Sequence, residues 1–209
     1  MNKPFPYPLT TYGEITLSKN QTLQYAQIID RDFAGIRLSG LSFDSCLLRN
    51  VNFASSQLRN LTLIDCVAED CLLFGADFDQ VGLLRVNFMK GSFTGLVLSG
   101  ASIKTVRFTN CNLNLTNFRY AKLSSVIFEG CNLTEVDFSG TTMSNVAFKQ
   151  CVLTGAQFTA STMKNVDLRT SDLVGLKGTL ALRGSIVDTA QLIGLAAMMA
   201  AEAGIVVAD

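Results

Sequence analysis

Hydrophobic residues recur at every fifth position along most of the chain. From Leu23 to Leu173, all 31 residues reached in steps of five are apolar. Because the composition is 48% hydrophobic, an unbroken register of this length does not arise by chance. A period of five fits neither the helical period of 3.6 residues nor the two-residue alternation of a strand. We therefore predict that each unit is a short extended segment followed by a corner.

A second periodic position, two residues before the first, holds mostly small or aliphatic side chains. All six cysteines occupy it: Cys46, Cys66, Cys71, Cys111, Cys131 and Cys151. We interpret them as small buried side chains with free thiols. Rows of thiols without histidine do not suit a metal site, and in-register stacking separates the Cβ atoms too far for good disulfide geometry. We expect no metal and no cofactor.

A longer repeat of twenty residues gives the number of units in one coil. Identical residues recur at this spacing, as at Val86, Val106, Val126, Val146 and Val166, and at Phe88, Phe108, Phe128 and Phe148. Four five-residue sides therefore close one coil, and parallel pairing stacks equivalent side chains on successive coils. The repeat predicts about seven to eight coils and a rod of roughly 36 Å.

The five-residue units resemble a known motif. Ala-Asp-Phe-Asp-Gln at 76–80, Cys-Asn-Leu-Thr-Glu at 131–135 and Val-Asp-Phe-Ser-Gly at 136–140 are similar to the A-(D/N)-(L/F)-x-x motif of the pentapeptide-repeat family. The resemblance implies an all-β fold, a right-handed quadrilateral parallel β-helix. We expect an amino-terminal cap at 1–22, the β-helix at 23–175 and a carboxy-terminal cap at 176–209.

The carboxy-terminal segment changes period and predicts a helix at about 189–203. Asp188 is a suitable N-cap, Gly204 is a suitable stop, and the intervening residues are largely apolar. The segment also resembles the carboxy-terminal ends of family members that bind type II topoisomerases, many of which dimerise there. We expect a homodimer, with a monomeric cap as the alternative. The candidate contact residues are Leu192, Leu195, Met198, Met199 and Ile205.

Catalysis and membrane insertion are both disfavoured. The chain has no histidine, and its inward positions are apolar or small apart from Gln21 and Arg31. No nucleophile–base pair is therefore expected, so we predict no catalytic residues and no enzyme activity. The nearly apolar stretch at 192–201 falls short of the roughly 20 residues that span a bilayer. The proline-rich start shows no signal peptide, so we expect a cytoplasmic protein.

The outward positions suggest an apolar patch. Aliphatic or thioether side chains replace the expected polar ones at Leu47, Ile64, Val67, Leu84 and Met89. Contiguous exposed apolar residues are typical of a partner site. The alternatives are that repeat walls tolerate scattered aliphatic residues, or that the amino terminus folds over them.

Charge is segregated along the chain although the formal net charge is zero. An acidic stretch that includes Asp77 and Asp79 precedes a basic stretch that includes Arg85, Lys104 and Arg107. This pattern fits a solvated surface or docking to a partner of complementary charge. Direct nucleic-acid binding is disfavoured because exposed aromatic residues are scarce in the basic stretch, where Tyr120 stands nearly alone.

The family resemblance implies a function. Its best-understood members imitate duplex DNA, occupy the DNA-binding surface of DNA gyrase or topoisomerase IV, and protect the enzyme from quinolones or toxins. We therefore expect a protein partner of this kind. Two features depart from that pattern: residues 23–173 hold thirteen acidic and thirteen basic residues, and no loop interrupts the register. The alternative function is a general interaction scaffold that presents one wall of the β-helix.

Overall fold

The computed structural model describes residues 8–12 and 14–206. Part of the predicted amino-terminal cap, at 1–7 and 13, lies outside these residues. The proposal that the amino terminus covers the apolar patch therefore also lies outside them.

The corners of the fold repeat every five residues. Each fifth residue from Asn20 to Gly175 has a left-handed backbone, with φ between 51° and 70°. Glycine adopts this conformation without a steric penalty, which accounts for its recurrence at this position. The predicted unit of an extended segment followed by a corner is confirmed.

A second local device fixes the turns. Asp or Asn at the second position of many units accepts a hydrogen bond from the backbone N–H two residues later. The N–H of Ala34 donates to Asp32 at 3.0 Å, and the N–H of Arg119 donates to Asn117 at 2.9 Å. These Asx turns explain why the motif favours Asp and Asn at this position.

Seventeen strands are short and follow one another along the described residues. They are β1 (Thr10–Thr11), β2 (Thr22–Gln24), β3 (Ala26–Asp32), β4 (Arg37–Ser39), β5 (Ser42–Asp44), β6 (Leu47–Asn52), β7 (Gln57–Arg59), β8 (Thr62–Ile64), β9 (Val67–Glu69), β10 (Gly82–Leu84), β11 (Asn87–Met89), β12 (Ser102–Lys104), β13 (Arg107–Thr109), β14 (Lys122–Glu129), β15 (Thr142–Lys149), β16 (Thr162–Asp167) and β17 (Ser185–Ile186). A 3₁₀ helix at Thr179–Leu182 and α1 at Thr189–Glu202 complete the described elements.

The pairing is parallel throughout and places most residues beside those twenty positions away. Leu83 pairs with Leu63 and Ile103, for example, and isolated bridges continue the same register where no strand is assigned. Four walls result. Wall 1 comprises 22–25 and its counterparts to 162–165, wall 2 comprises 27–30 to 167–170, wall 3 comprises 32–35 to 172–175, and wall 4 comprises 37–40 to 177–180.

The predicted parallel β-helix is confirmed as a solenoid of about nine turns. The prediction was shorter because β1 and β17 extend the ladder at the two ends, by pairing with β3 and β16. Inside, equivalent side chains stack. The rings of Phe88, Phe108, Phe128 and Phe148 lie 4.9–5.0 Å apart and nearly parallel.

The helix α1 closes the carboxy-terminal end. Asp188 is its N-cap, and the reciprocal bonds with Gln191 form a capping box. The helix ends at Glu202, and Gly204 has a left-handed φ of 74°. The predicted helix and its N-cap are therefore confirmed. Leu195 is buried against the last coil, with Met198 and Met199 partly buried beside it.

Candidate protein-interaction surfaces

The predicted apolar patch lies across a corner between two walls. Leu47 pairs with Val67 on wall 2, and Ile64 pairs with Leu84 on wall 1. Their stacking covers part of each side chain. Leu47, Ile64 and Leu84 are half-buried, as is the nearby Met89 on wall 2.

Val67 corrects the expectation of an exposed side chain, because only 9% of it is accessible. It is enclosed by the adjacent coils, where Leu47 and Asn87 are its neighbours. The patch is therefore less open than the sequence suggested.

A bidentate ion pair adjoins this patch at the same corner. The guanidinium of Arg85 donates to both carboxylate oxygens of Asp65 at 2.6 Å. This pairing lowers the pKa of Asp65 below its ordinary value and raises that of Arg85. Two predicted features, the apolar patch and Arg85, thus come together in the fold.

The remaining predicted basic residues do not form a free cationic surface. Arg107 on wall 2 donates to Glu129 at 2.7 Å, which neutralises it locally. Lys104 on wall 1 is exposed, and the described residues place no carboxylate within 4.0 Å of it. The basic stretch is therefore largely compensated by acids on neighbouring coils.

Asp77 and Asp79 lie on wall 4, away from these cations. Both are half-buried. Asp77 accepts from the backbone N–H of Asp79 at 3.1 Å, and Asp79 accepts from the Ser99 hydroxyl at 2.8 Å. These carboxylates stabilise a turn and an inter-coil contact, and neither forms an ion pair among the described residues.

Wall 3 has a feature that the sequence reasoning missed. Its residues at 32–35 and at every equivalent position to 172–175 include no lysine or arginine. They include the acids Asp32, Glu135 and Asp172. Walls 1, 2 and 4 each carry several cations. Writing the sequence in rows of twenty would have revealed this wall.

Wall 3 also carries exposed apolar side chains. Leu72 is 44% exposed and Phe74 is 58% exposed, two positions apart on the same coil. Leu115, Val152 and Val174 are exposed farther along this wall. An acidic wall with apolar contact points suits a protein partner better than a small molecule.

The candidate dimer residues divide into two groups. Leu195 is 2% exposed and Met198 and Met199 pack partly against the core, so these three side chains close the solenoid. Leu195 in particular is not available to a second copy, which corrects the prediction. Leu192 and Ile205 are exposed, and Ile193, with 73% exposure, lies on the solvent side of the helix.

The cysteines are buried as predicted. All six thiols are free and inaccessible. Burial is the main cause that raises the pKa of Cys71 to about 11. Within 8–12 and 14–206, no group of three or more His, Cys, Asp or Glu side chains is arranged to hold a metal ion.

The described helices include none with the length and apolar character needed to cross a membrane.

The stacked five-residue units define the class as a parallel β-solenoid with left-handed corners. Residues 101–177 match the family model described as the pentapeptide repeat region. These residues thus contain the pentapeptide repeat, which confirms the resemblance seen in the sequence.

A solved structure gives the same fold. A trypsin-treated form of QnrB1, a plasmid-mediated fluoroquinolone resistance protein, is 18% identical with a TM-score of 0.68 and covers 97% of this chain and 100% of its own. HetL, involved in heterocyst differentiation regulation in the cyanobacterium Nostoc sp. strain PCC 7120, is 19% identical with a TM-score of 0.41 and covers 81% and 90%. No curated protein matches the chain.

Proposed function

We propose that this protein is a non-enzymatic interaction protein that binds a type II topoisomerase, with DNA gyrase as the partner, and competes there with duplex DNA. The observation that carries this proposal is wall 3, which is free of cations from one end to the other. A surface that binds DNA is cationic, and any lysine or arginine on the docking wall would oppose binding to it. The partner places the proposed activity in the bacterial cytoplasm.

The dimensions of wall 3 are compatible with a duplex-binding surface. Asp32 and Asp172 are separated by seven steps of twenty residues, which correspond to roughly 34 Å at the spacing of paired strands. One turn of B-DNA is about as long. The likeness in fold to a fluoroquinolone resistance protein supports a type II topoisomerase as the partner.

The helix α1 supports a homodimer as the binding form. From Thr189 to Ala201 the helix contains no charged residue, and its solvent side presents Ile193 with several alanines. A solvent-facing helix surface normally carries charged side chains. We propose a second copy of this chain as the occupant, because a two-fold contact places the same patch of both copies face to face and would cover this apolar surface on each.

The dimer is tested by the mass in solution, measured by light scattering. Ile193→Asp should give a monomer, whereas Phe74→Asp on wall 3 should leave the dimer intact. A monomeric wild type, or the same mass for wild type and Ile193→Asp, would overturn this part of the proposal.

The partner is tested by displacement of a fluorescent duplex from purified DNA gyrase. Two double variants each change the net charge by four: Glu135→Lys with Asp172→Lys on wall 3, and Asp77→Lys with Asp79→Lys on wall 4. We expect wild type and the wall 4 variant to displace the duplex, and the wall 3 variant to fail. Loss only in the wall 4 variant would move the docking surface to the acidic pair. No displacement by wild type at large molar excess would reject gyrase.

A second candidate function is a scaffold that uses apolar contacts of wall 3 with another protein. The exposed Leu72 and Phe74 favour it, together with a formal net charge of zero. In that case Phe74→Ser should abolish binding while the reversal of Glu135 and Asp172 has little effect. A photo-crosslinking residue at position 74 identifies the partner directly.

A further inference from the structure

A cleft of about 210 Å³ lies on wall 4 near the amino-terminal end of the solenoid. Three cations line it, Lys19, Arg37 and Arg59. The hydroxyl-bearing Ser39, the amide-bearing Gln57 and Leu38 complete its lining. No carboxylate belongs to this lining, so every charge in the cleft is positive.

The two arginines of the cleft differ from most other arginines in the described residues, which form ion pairs. Arg49, Arg85, Lys90, Arg107, Arg119 and Arg169 all form ion pairs with acids. Lys19, Arg37 and Arg59 have no ion pair and no side-chain hydrogen bond within the described residues. Their donor groups are therefore available to a ligand.

The stacking register explains the difference. Arg37 pairs with Gln57, and Arg59 pairs with Ser39, so on this side both arginines meet neutral neighbours. Arg49 instead meets the acid Glu69 and forms an ion pair with it. The lining of the cleft therefore holds three cations and no acid.

Two acids lie on the coil beyond the cleft. Asp77 pairs with Gln57, and in the same register Asp79 lies beside Arg59 on the next coil. Asp77 is engaged by the N–H of Asp79, and Asp79 by the Ser99 hydroxyl on the far side. Neither lines the cleft. They bound its carboxy-terminal side and would repel an anion longer than the cleft.

The backbone holds these side chains on a fixed frame. The N–H of Asn20 donates to the carbonyl of Ser39 at 2.9 Å, and the N–H of Gly40 donates to the carbonyl of Arg59 at 2.9 Å. These bonds join three consecutive coils where Lys19, Ser39 and Arg59 lie. A fixed frame lowers the conformational entropy that the protein loses when a ligand binds.

We propose that this cleft binds the phosphoryl groups of a small phosphate-bearing ligand. Guanidinium groups match phosphate oxygens in a fork of donors, and a lysine ammonium adds a point charge. The Gln57 amide and the Ser39 hydroxyl supply further donors. The volume admits one or two phosphoryl groups, and a duplex is far too large for it. This site is separate from wall 3 and does not depend on the proposed partner.

The test is calorimetric titration of the full chain with inorganic phosphate, pyrophosphate and a nucleoside diphosphate. We expect saturable binding of pyrophosphate, weakened about tenfold or more in Arg37→Gln and in Arg59→Gln through loss of charge-assisted hydrogen bonds. Equal affinity for pyrophosphate and the nucleoside diphosphate assigns recognition to the phosphoryl groups alone. Tighter binding of the nucleoside diphosphate adds a contact to the nucleoside, and both results support the site.

Arg49→Gln is the matched control, because it removes the same charge from an exposed side chain outside the cleft. Circular dichroism confirms that each variant remains folded. Absence of binding to wild type at millimolar pyrophosphate would overturn the proposal. An equal loss in Arg49→Gln would also overturn it, since binding would then reflect general charge and not this cleft.

Discussion

The carboxylate of Glu202 accepts a hydrogen bond from the backbone N–H of Gly178 at 2.7 Å. It also accepts from the Thr179 hydroxyl at 2.9 Å and from the N–H of Leu180 at 3.3 Å. The last residue of α1 is thereby joined to the final coil. At the other end of the helix, the Gln191 amide donates to the carbonyls of Leu168 and Ser171. The helix satisfies backbone groups that an open solenoid end would leave exposed.

This attachment predicts a pH dependence of the carboxy-terminal cap. Burial raises the pKa of Glu202, but the hydrogen bonds from Thr179, Leu180 and Gly178 outweigh it, and the net pKa is lowered. A lowered pKa means that the stabilisation is present above the ordinary glutamate range and is lost as pH falls through the folded-state value. Hydrogen-exchange protection of the Gly178 and Leu180 amides should therefore decrease in acid.

Glu202→Gln is the control for this effect, because an amide oxygen still accepts hydrogen bonds but does not titrate there. In this variant, hydrogen-exchange protection of the Gly178 and Leu180 amides should be lower than in wild type at neutral pH. The protection of these two amides should also no longer depend on acid. An unchanged acid dependence in Glu202→Gln would show that another group controls the cap.

A small apolar cavity predicts a stabilising substitution. Ala68 stacks between Leu48 and Phe88 and lines an interior cavity of about 30 Å³. Ala68→Leu should fill this space and raise the free energy of unfolding by about 1 to 2 kcal/mol. Ala156 is equally buried but does not line the cavity. Ala156→Leu should lower the free energy of unfolding by about 1 to 3 kcal/mol through overpacking. Denaturant unfolding measures both, and destabilisation by both variants would show that the cavity does not accept the added volume.

The left-handed corners predict a second stabilising change. Thr105 has a φ of 56°, a conformation that β-branched residues rarely adopt. Thr105→Gly should relieve this strain and raise the free energy of unfolding by up to about 1 kcal/mol, after the entropy cost of glycine. Thr109 lies in β13 and is the matched control, since Thr109→Gly should be destabilising. If thermal unfolding shows that both substitutions stabilise the protein, or that both destabilise it, then strain at the Thr105 corner is not the cause.

The buried thiols predict chemical inertness. The thiol of Cys71 has a pKa raised to about 11, chiefly by burial, and all six side chains are inaccessible. At pH 8 a thiol-specific reagent should label none of them in the folded protein and all six after unfolding, because the packed core keeps the reagent from the thiols. Rapid labelling of native protein would place at least one cysteine outside the core.

Much of the fold could be predicted because its signals are local and periodic. The five-residue register fixed which residues face inward, from Leu23 to Leu173, and the N-cap at Asp188 is a local signal of the helix start. Burial of the outward residue Val67 could not be predicted, since it depends on side chains of adjacent coils. The charge of Arg85 is neutralised by Asp65 twenty residues earlier, a neighbour that becomes visible when the sequence is written in rows of twenty.

The interaction surface was predicted less well than the fold. Asp77 and Asp79 stand out because they are close in sequence, whereas Asp32, Glu135 and Asp172 are far apart along the chain and share wall 3 only through the twenty-residue register. The exposed side chain of Phe74 was overlooked for the same reason. Leu195 was assigned to a dimer contact because the sequence does not say which side of an apolar helix faces the solenoid.

A DNA gyrase supercoiling titration, run with and without a fluoroquinolone, shows whether this protein acts on a type II topoisomerase. We expect added protein to restore supercoiling in the presence of the drug, or to inhibit supercoiling at low micromolar concentration. The variant with Glu135→Lys and Asp172→Lys should have neither effect. Unchanged supercoiling under both conditions at a large molar excess of wild-type protein would exclude DNA gyrase as the partner.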